Sequence, residues 1–359
     1  MTAAALDADT VSWLLAVSAP AGCCGATSTR PPRPRQAHIL LNALIRHGVA
    51  TAALRRLPQF PALHGLETAL RDAHADNVRR ALTGAQRLTE IAIALSAQNI
   101  DWCVLKGIPL ALRHYGDVAA RQVGDIDVLV APHQTAAADR ALRDTGWQRQ
   151  GAENKPDLPP PRHWHEQRYV RPDGSTLELH HRLHPNPHLL AIPTDRLCAG
   201  AERVMLGEAA IPVLDATTEL LYLSTHGCRH GWFRLMWVCD IAAVVTCAAP
   251  AALEDTRRAA HRLGLLQPLA QALRLANTLL GAAVPPWVAA LHASSRRQRQ
   301  LITFAIDTLW SARDAHGNPT QRARSSLFPA LYQRAHLPFW AWELALRARH
   351  EHPRWFEAA

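Results

Sequence analysis

Asp125 and Asp127 stand two residues apart in DIDVLV (125–130), and Glu178 lies in TLELHHRL (176–183). Both stretches read as strands. The first alternates polar and apolar residues and stops ahead of Pro132, and the second follows an RPDGS turn that closes a hairpin with HWHEQRYV (163–170). Residues i and i+2 of a strand point to one face. Asp125 and Asp127 therefore lie side by side while Ile126, Val128 and Val130 face the core, and Glu178 shares a face with His180 and Arg182. If the hairpin pairs beside 125–130, three carboxylates meet. Carboxylates at such range repel unless a cation neutralises them. Oxygen donors of this kind suit Mg²⁺ or Mn²⁺ held with substrate phosphates. Such a cluster can hold two metals that clamp the entering and leaving oxygens of a phosphoryl transfer, with Glu178 or a metal-held carboxylate taking the proton of an attacking hydroxyl.

Lys106 is one of two lysines in the chain, beside Lys155; arginine carries the remaining basic charge. WCVLKG (102–107) is a short apolar run ended by glycine, a buried strand, and IPLALRHY carries Pro109 in the first turn of a helix. A strand–glycine–helix unit leaves backbone N–H groups free around Gly107, a ready anion site. Lys106 adds a point charge to it and Arg121 a second, unless Arg121 pairs with Asp117. His226 and His230, four apart on a helix, have a spacing that can bind zinc, but no Glu follows His226 as in metalloproteases. They are read, with Arg229, as facing the nucleotide or acceptor, and His180 as a substrate or metal contact. Trp232 and Trp237 are read as core. HWHE (163–166) and HHRLH (180–184) are not taken as zinc sites, because histidine is plentiful, at 20 residues.

The elements that position these residues follow from periodicity and breakers. Residues 1–62 read as helices interrupted by RPPRPRQ (30–36), and Gly65–Asn99 as one long amphipathic helix or two. HQTAAADRALRDTG forms a helix closed by Gly146, followed by a proline-rich loop at 156–161. From about 214 to 312 the chain is helical, with breaks at Pro250, near Gly264 and at Pro285-Pro286, and an aromatic, arginine-rich tail packs back onto the body. The fold class is thus α+β: a small mixed sheet with helices (99–213) between an N-terminal helical region (1–98) and a C-terminal helical domain (214–359).

Composition narrows the class. A chain of 359 residues, 48% hydrophobic with 11 tryptophans, has ample material for a core. The net charge of +9 and pI near 9.7 favour phosphate-bearing partners, although the basic residues are scattered and an arginine-rich composition alone accounts for them equally well. No run approaches the length of a membrane span. The first ten residues hold Asp7 and Asp9 and no Lys or Arg, so VSWLLAVSAPAGCCGA reads as an amphipathic helix and not a leader, and the chain as cytoplasmic. Seven cysteines without a CxxC make a poor disulfide framework, and most of them read as small buried hydrophobes.

Three blocks together resemble one family. LKGIPLALRHYGDVAARQVGDIDVLV, LELHHRL and LSTHGCRHGWFRLMWVCDIA (223–242), within roughly 88–250, are similar to the uncharacterised nucleotidyltransferase family of the polymerase-β-like superfamily. The resemblance implies Asp125, Asp127 and Glu178 as catalytic metal ligands, with Mg²⁺ or Mn²⁺ as the ion and an NTP, ATP first, as donor. It sets Gly107 at the superfamily's glycine turn. Ile108 replaces the small polar residue there and Gly107 lies farther from Asp125 than usual, which hands part of that role to Lys106. The expected reaction moves a nucleoside monophosphate onto the hydroxyl or phosphate of a small molecule or peptide natural product. The alternatives are an RNA- or protein-modifying enzyme and a non-catalytic nucleotide-binding protein on the same scaffold.

Overall fold

The computed structural model describes residues 6–23, 33–150, 165–311 and 337–351. Lys155, the proline-rich loop at 156–161, His163 and most of the tail from 313 lie outside them. The chain opens with three helices, α1 (Ala8–Ser18), α2 (Pro34–Arg46) and α3 (Ala50–Arg56), followed by the long α4 (Glu67–Ala97). The expected long helix is a single one. Gly84, in its middle, allows close approach, since a β-carbon there would stand 2.8 Å from the Ile108 side chain.

A mixed α/β stretch comes next: β1 (Trp102–Val104), α5 (Ile108–Tyr115), β2 (Ile126–Val130), α6 (Thr135–Asp144), β3 (Gln148–Arg149), β4 (Glu166–Val170), β5 (Thr176–His180), α7 (Thr194–Ala199), β6 (Glu202–Leu206) and β7 (Ala209–Val213). Seven strands form one sheet in the order β3-β4-β5-β2-β1-β7-β6, making the fold α+β. β2 lies at its centre, antiparallel to β1 and parallel to β5. The second expected strand therefore pairs beside the first, with Asp127 opposite Glu178.

The expectation that only alternate residues of β2 are buried needs correction. All five are buried, because both faces of the sheet are covered. Ile126, Val128 and Val130 join Leu177, Leu179, Val104 and Val213 in a core closed by α4 and α6. On the other face, Leu129 and Cys103 enter a second core, built by helices from both ends of the chain. Strand β5 also stops at His180, so Arg182 lies beyond its end.

The last third is helical: α8 (Ala216–Arg229), α9 (Leu235–Cys247), α10 (Pro250–Arg262), α11 (Leu266–Leu280), α12 (Pro286–Ser294), α13 (Arg296–Trp310) and α14 (Leu337–Glu351). The breaks fall at Pro250, Gly264 and Pro285-Pro286. Trp13, Leu40 and Leu44 of α1 and α2 share a core with Val238, Ile241 and Leu273 of α9 and α11, so the two helical ends of the chain pack together. The described part of the tail packs back too: Phe339 is fully buried, and Trp342 donates to the Pro185 carbonyl at 3.0 Å. Among the described residues no helix is long and apolar enough to cross a membrane.

Candidate active site

The uncovered end of the sheet and the helices α8 and α9 enclose a cleft of about 480 Å³. Its sheet wall is built by register. Asp127 is buried on β2, Glu178 lies opposite it on β5, and His180 follows two residues on, on the same face. The Leu105 N–H donates to the Asp127 carbonyl at 3.0 Å, which brings the next residue, Lys106, onto Asp127; its ammonium donates to the carboxylate. Gly107 follows with φ of +87°, a conformation that favours glycine, and turns the chain straight into α5. Gly107 itself lines the cleft, and no side chain caps the start of the helix behind it, where Pro109 carries no N–H.

Charge dominates this wall. Burial alone would raise the pKa of Asp127, but Lys106 and His180 outweigh it and hold the carboxyl at about 2. His180 shows the reverse: burial opposes its charge, and the neighbouring Asp127, Glu178 and Glu166 carboxylates raise it to about 9. Its Nε2 stands 3.4 Å from Asp127 and 3.7 Å from Glu178, and its Nδ1 stands 3.4 Å from Glu166. Glu166, at the start of β4, is likewise held near 2 against burial by His165 and His180.

Asp127, Glu178 and His180 bring ligand atoms within 4.8 Å of one another. This donor set fits a hard divalent cation through its two carboxylates. Asp125 is not part of that close set. It lines the cleft but accepts a hydrogen bond from the Thr176 hydroxyl, with Arg168 3.9 Å away.

The histidines of the helical wall are neutral, and Arg229 and Arg234 line it beside them. Tyr222 and His226 project from α8, His230 caps it, and Trp237 faces them from α9. His226 packs 4.6 Å from His230 and 5.1 Å from Trp237, ring centre to ring centre. Burial, reinforced by nearby cations, pushes His226 well below its usual pKa and His230 down to about 4. His184, paired with the Thr225 hydroxyl at 2.8 Å, is pushed down in the same way. Arg229 reaches the Glu343 carboxylate of α14 at 3.2 Å.

Arg121 lines the cleft but is placed differently from a phosphate-facing cation. Its guanidinium meets Asp240 of α9 through two bonds, at 2.9 and 2.7 Å, and both residues are buried. Tyr115 donates to the same carboxylate at 3.0 Å. The suggested Asp117 partner is taken by Arg55 instead.

Asn77 was not foreseen. From α4 it donates to the carbonyls of Ala119 and Arg121 and accepts from the Val123 N–H, which pins the loop leading to Asp125. A signal existed: Asn77 occupies the apolar face of its helix, in register with Leu70, Ala81 and Leu88. His165 and Glu166 were seen only as part of a histidine-rich tract, and pairing of β4 with β5 carries them to His180.

Comparison with protein families matches residues 33–281 to the family described as uncharacterised nucleotidyltransferase, a span that contains every cleft residue named above. Among solved structures, an antigenic nucleotidyltransferase-like protein from Paracoccidioides brasiliensis is similar at 16% identity, with a TM-score of 0.34 over 54% of this chain and 95% of that one. No curated protein matches.

Proposed function

Because the chain belongs to the uncharacterised nucleotidyltransferase family, we propose that it transfers a nucleoside monophosphate from an NTP, ATP first, to an acceptor hydroxyl or phosphate, with release of pyrophosphate. The observation that carries this reading is the register of β2 and β5, which sets Asp127 against Glu178 at the floor of a nucleotide-sized cleft. Asp125, Asp127 and Glu178 would hold Mg²⁺ or Mn²⁺. When bound, the ion neutralises phosphate charge and polarises the reacting phosphorus. The protein's own contribution is positioning and fixed charge. Lys106 compensates Asp127 in the free protein and supplies a compact cation to the phosphates in the complex. The free N–H groups after Gly107 receive phosphate oxygens. His180 sets the orientation of the two carboxylates, and His226 and His230 offer neutral ring surface to the base or acceptor. Arg121 acts on this site through Asp240, as a clamp between the loop before β2 and helix α9.

A small molecule or peptide is the preferred acceptor. Of the three cleft arginines, Arg121 and Arg229 are tied to carboxylates and Arg234 lies over Phe233, which leaves less positive charge for a polyanionic RNA. A cytoplasmic setting fits an NTP-using protein whose described cysteines are free, four of them buried, with Cys198 half-buried and Cys247 exposed. The test is thermal shift and pyrophosphate release with NTP plus Mg²⁺ or Mn²⁺, comparing the wild type with Asp125→Ala/Asp127→Ala. Metal-dependent binding that the double variant loses is the expected result, and its absence in the wild type overturns the reading. Incubating α-labelled NTP with cell extract then sorts the acceptor, since label enters small molecules, RNA or protein.

A further inference from the structure

We propose that His165, Glu166 and His180 form a binding site for a divalent transition metal, Zn²⁺ by the fit of its donors, beside the carboxylate pair. The site arises from strand pairing. Glu166 stands directly opposite His180 on β4 and β5, and His165 precedes it by one residue. His165 Nε2 lies 3.0 Å from Glu166 Oε2, which lies 3.4 Å from His180 Nδ1, and the three residues bring ligand atoms within 4.8 Å of one another. Donors about 2.0–2.1 Å from a tetrahedral Zn²⁺ stand roughly 3.3 Å apart, so the free protein already holds these groups near coordinating separation. Two imidazoles and one carboxylate are borderline ligands. They favour zinc over Mg²⁺, and they leave a fourth position open to the cleft that His165 and Glu166 line.

His180 supplies the second observation. It is 4% exposed, yet neither ring nitrogen makes a hydrogen bond. Buried polar atoms left in that state call for a partner. An ion on Nδ1 provides it by displacing the proton that this nitrogen carries in the metal-free protein, and the remaining hydrogen stays on Nε2. That nitrogen faces Asp127 at 3.4 Å and Glu178 at 3.7 Å. The outcome is a carboxylate–histidine–metal relay, in which the outer carboxylates orient the ligating ring. The zinc site thereby holds His180 in place against Asp127 and Glu178, and His180 is a positioning residue for that pair.

Neither the site nor its test depends on nucleotidyl transfer. Untagged full-length protein is stripped with a chelator and titrated with Zn²⁺ against a chromogenic competitor, in excess Mg²⁺ and without NTP. Co²⁺ serves as a visible probe of four-coordinate geometry. The expected result is one equivalent of Zn²⁺ and intense Co²⁺ bands in the wild type. His165→Gln weakens Zn²⁺ at least about 100-fold and removes the bands, Glu166→Gln does the same, and Asp125→Asn leaves both unchanged. Circular dichroism confirms that each variant is folded. No stoichiometric Zn²⁺ in the wild type, wild-type affinity in both His165→Gln and Glu166→Gln, or an equal loss in Asp125→Asn overturns the proposal. The last of these would give the ion to the carboxylate set.

Discussion

The two walls of the cleft treat the same residue in opposite ways. On the sheet wall His180 is raised to about 9, because Asp127, Glu178 and Glu166 surround it and outweigh the cost of burial. On the helical wall His230 is lowered to about 4 and His226 falls well below its ordinary value, because burial and nearby cations outweigh what little Glu166 does for His230. All three are nucleotide contacts by sequence, yet they cannot share one role. A charged imidazole among carboxylates handles charge and orientation. A neutral imidazole packed at an angle against Trp237 presents a weakly polar ring surface. Under the proposed function, the cleft thus separates a side that would take phosphates and metal from a side suited to rings.

The largest effect is expected where the two walls are joined. Asp240→Ala leaves the Arg121 guanidinium buried without its partner, and losing one member of a buried pair costs about 3–5 kcal/mol. Urea denaturation should show this loss. A change under about 1 kcal/mol would mean that the pair does not clamp the walls together and that Arg121 is available to phosphate after all.

Next in size is the same substitution made on each wall. His180→Phe removes the cation among the three carboxylates, and pyrophosphate release should fall about 10²–10³-fold, the usual scale for one preorganised charge-stabilising group. His230→Phe keeps a ring of similar shape and should change the rate less than about 10-fold. Equal losses in the two variants would erase the distinction between the walls. A smaller step concerns Lys106. Arginine there carries the same charge in a longer, planar head that cannot sit on Asp127 as the ammonium does, so Lys106→Arg should raise KM for NTP about 10-fold. A fully active variant would remove the phosphate role.

How far the sequence discloses this arrangement differs between the walls. Strand alternation is a local signal, so DIDVLV and LELHHRL, and the Asp-Gly turn between hairpin strands, were readable without a structure. The pairing of β2 with β5 was conditional in the sequence, and it is what sets Asp127 against Glu178. Strands β6 and β7 went unread. β6 is a largely exposed edge strand without clean alternation, and Pro212 argues against a strand, although the glycine of the LGEA turn was a usable clue. The partners of charged groups were the least legible. Arg121 and Asp240 are far apart in sequence, and nothing local says that the arginine turns to α9 rather than into the cleft. His165 and Glu166 are set aside for a different reason: with 20 histidines in the chain the tract carries little weight, and only the register of the hairpin, Glu166 opposite His180, makes a cluster of it.

The smallest effect reads the histidines of the helical wall through pH. His230 titrates near 6.5 when unfolded and near 4 when folded. Between those values the unfolded chain binds a proton that the folded chain refuses, so stability falls as pH falls. His184 and His226 are lowered in the same direction, and so is His47, fully buried beneath α9 and held at about 3. His180 runs oppositely: its contribution is complete below about pH 6.5 and is lost as pH rises through about 9. A window from about pH 6.5 to 5 therefore isolates the lowered group of histidines. Across it the wild type should lose stability, and His230→Phe should lose less, because one refused proton has been removed. Urea midpoints at the two ends of the window supply the measurement. If the variant keeps the full wild-type slope, His230 accepts a proton in the folded protein, and the helical wall carries imidazolium charge like the one it faces.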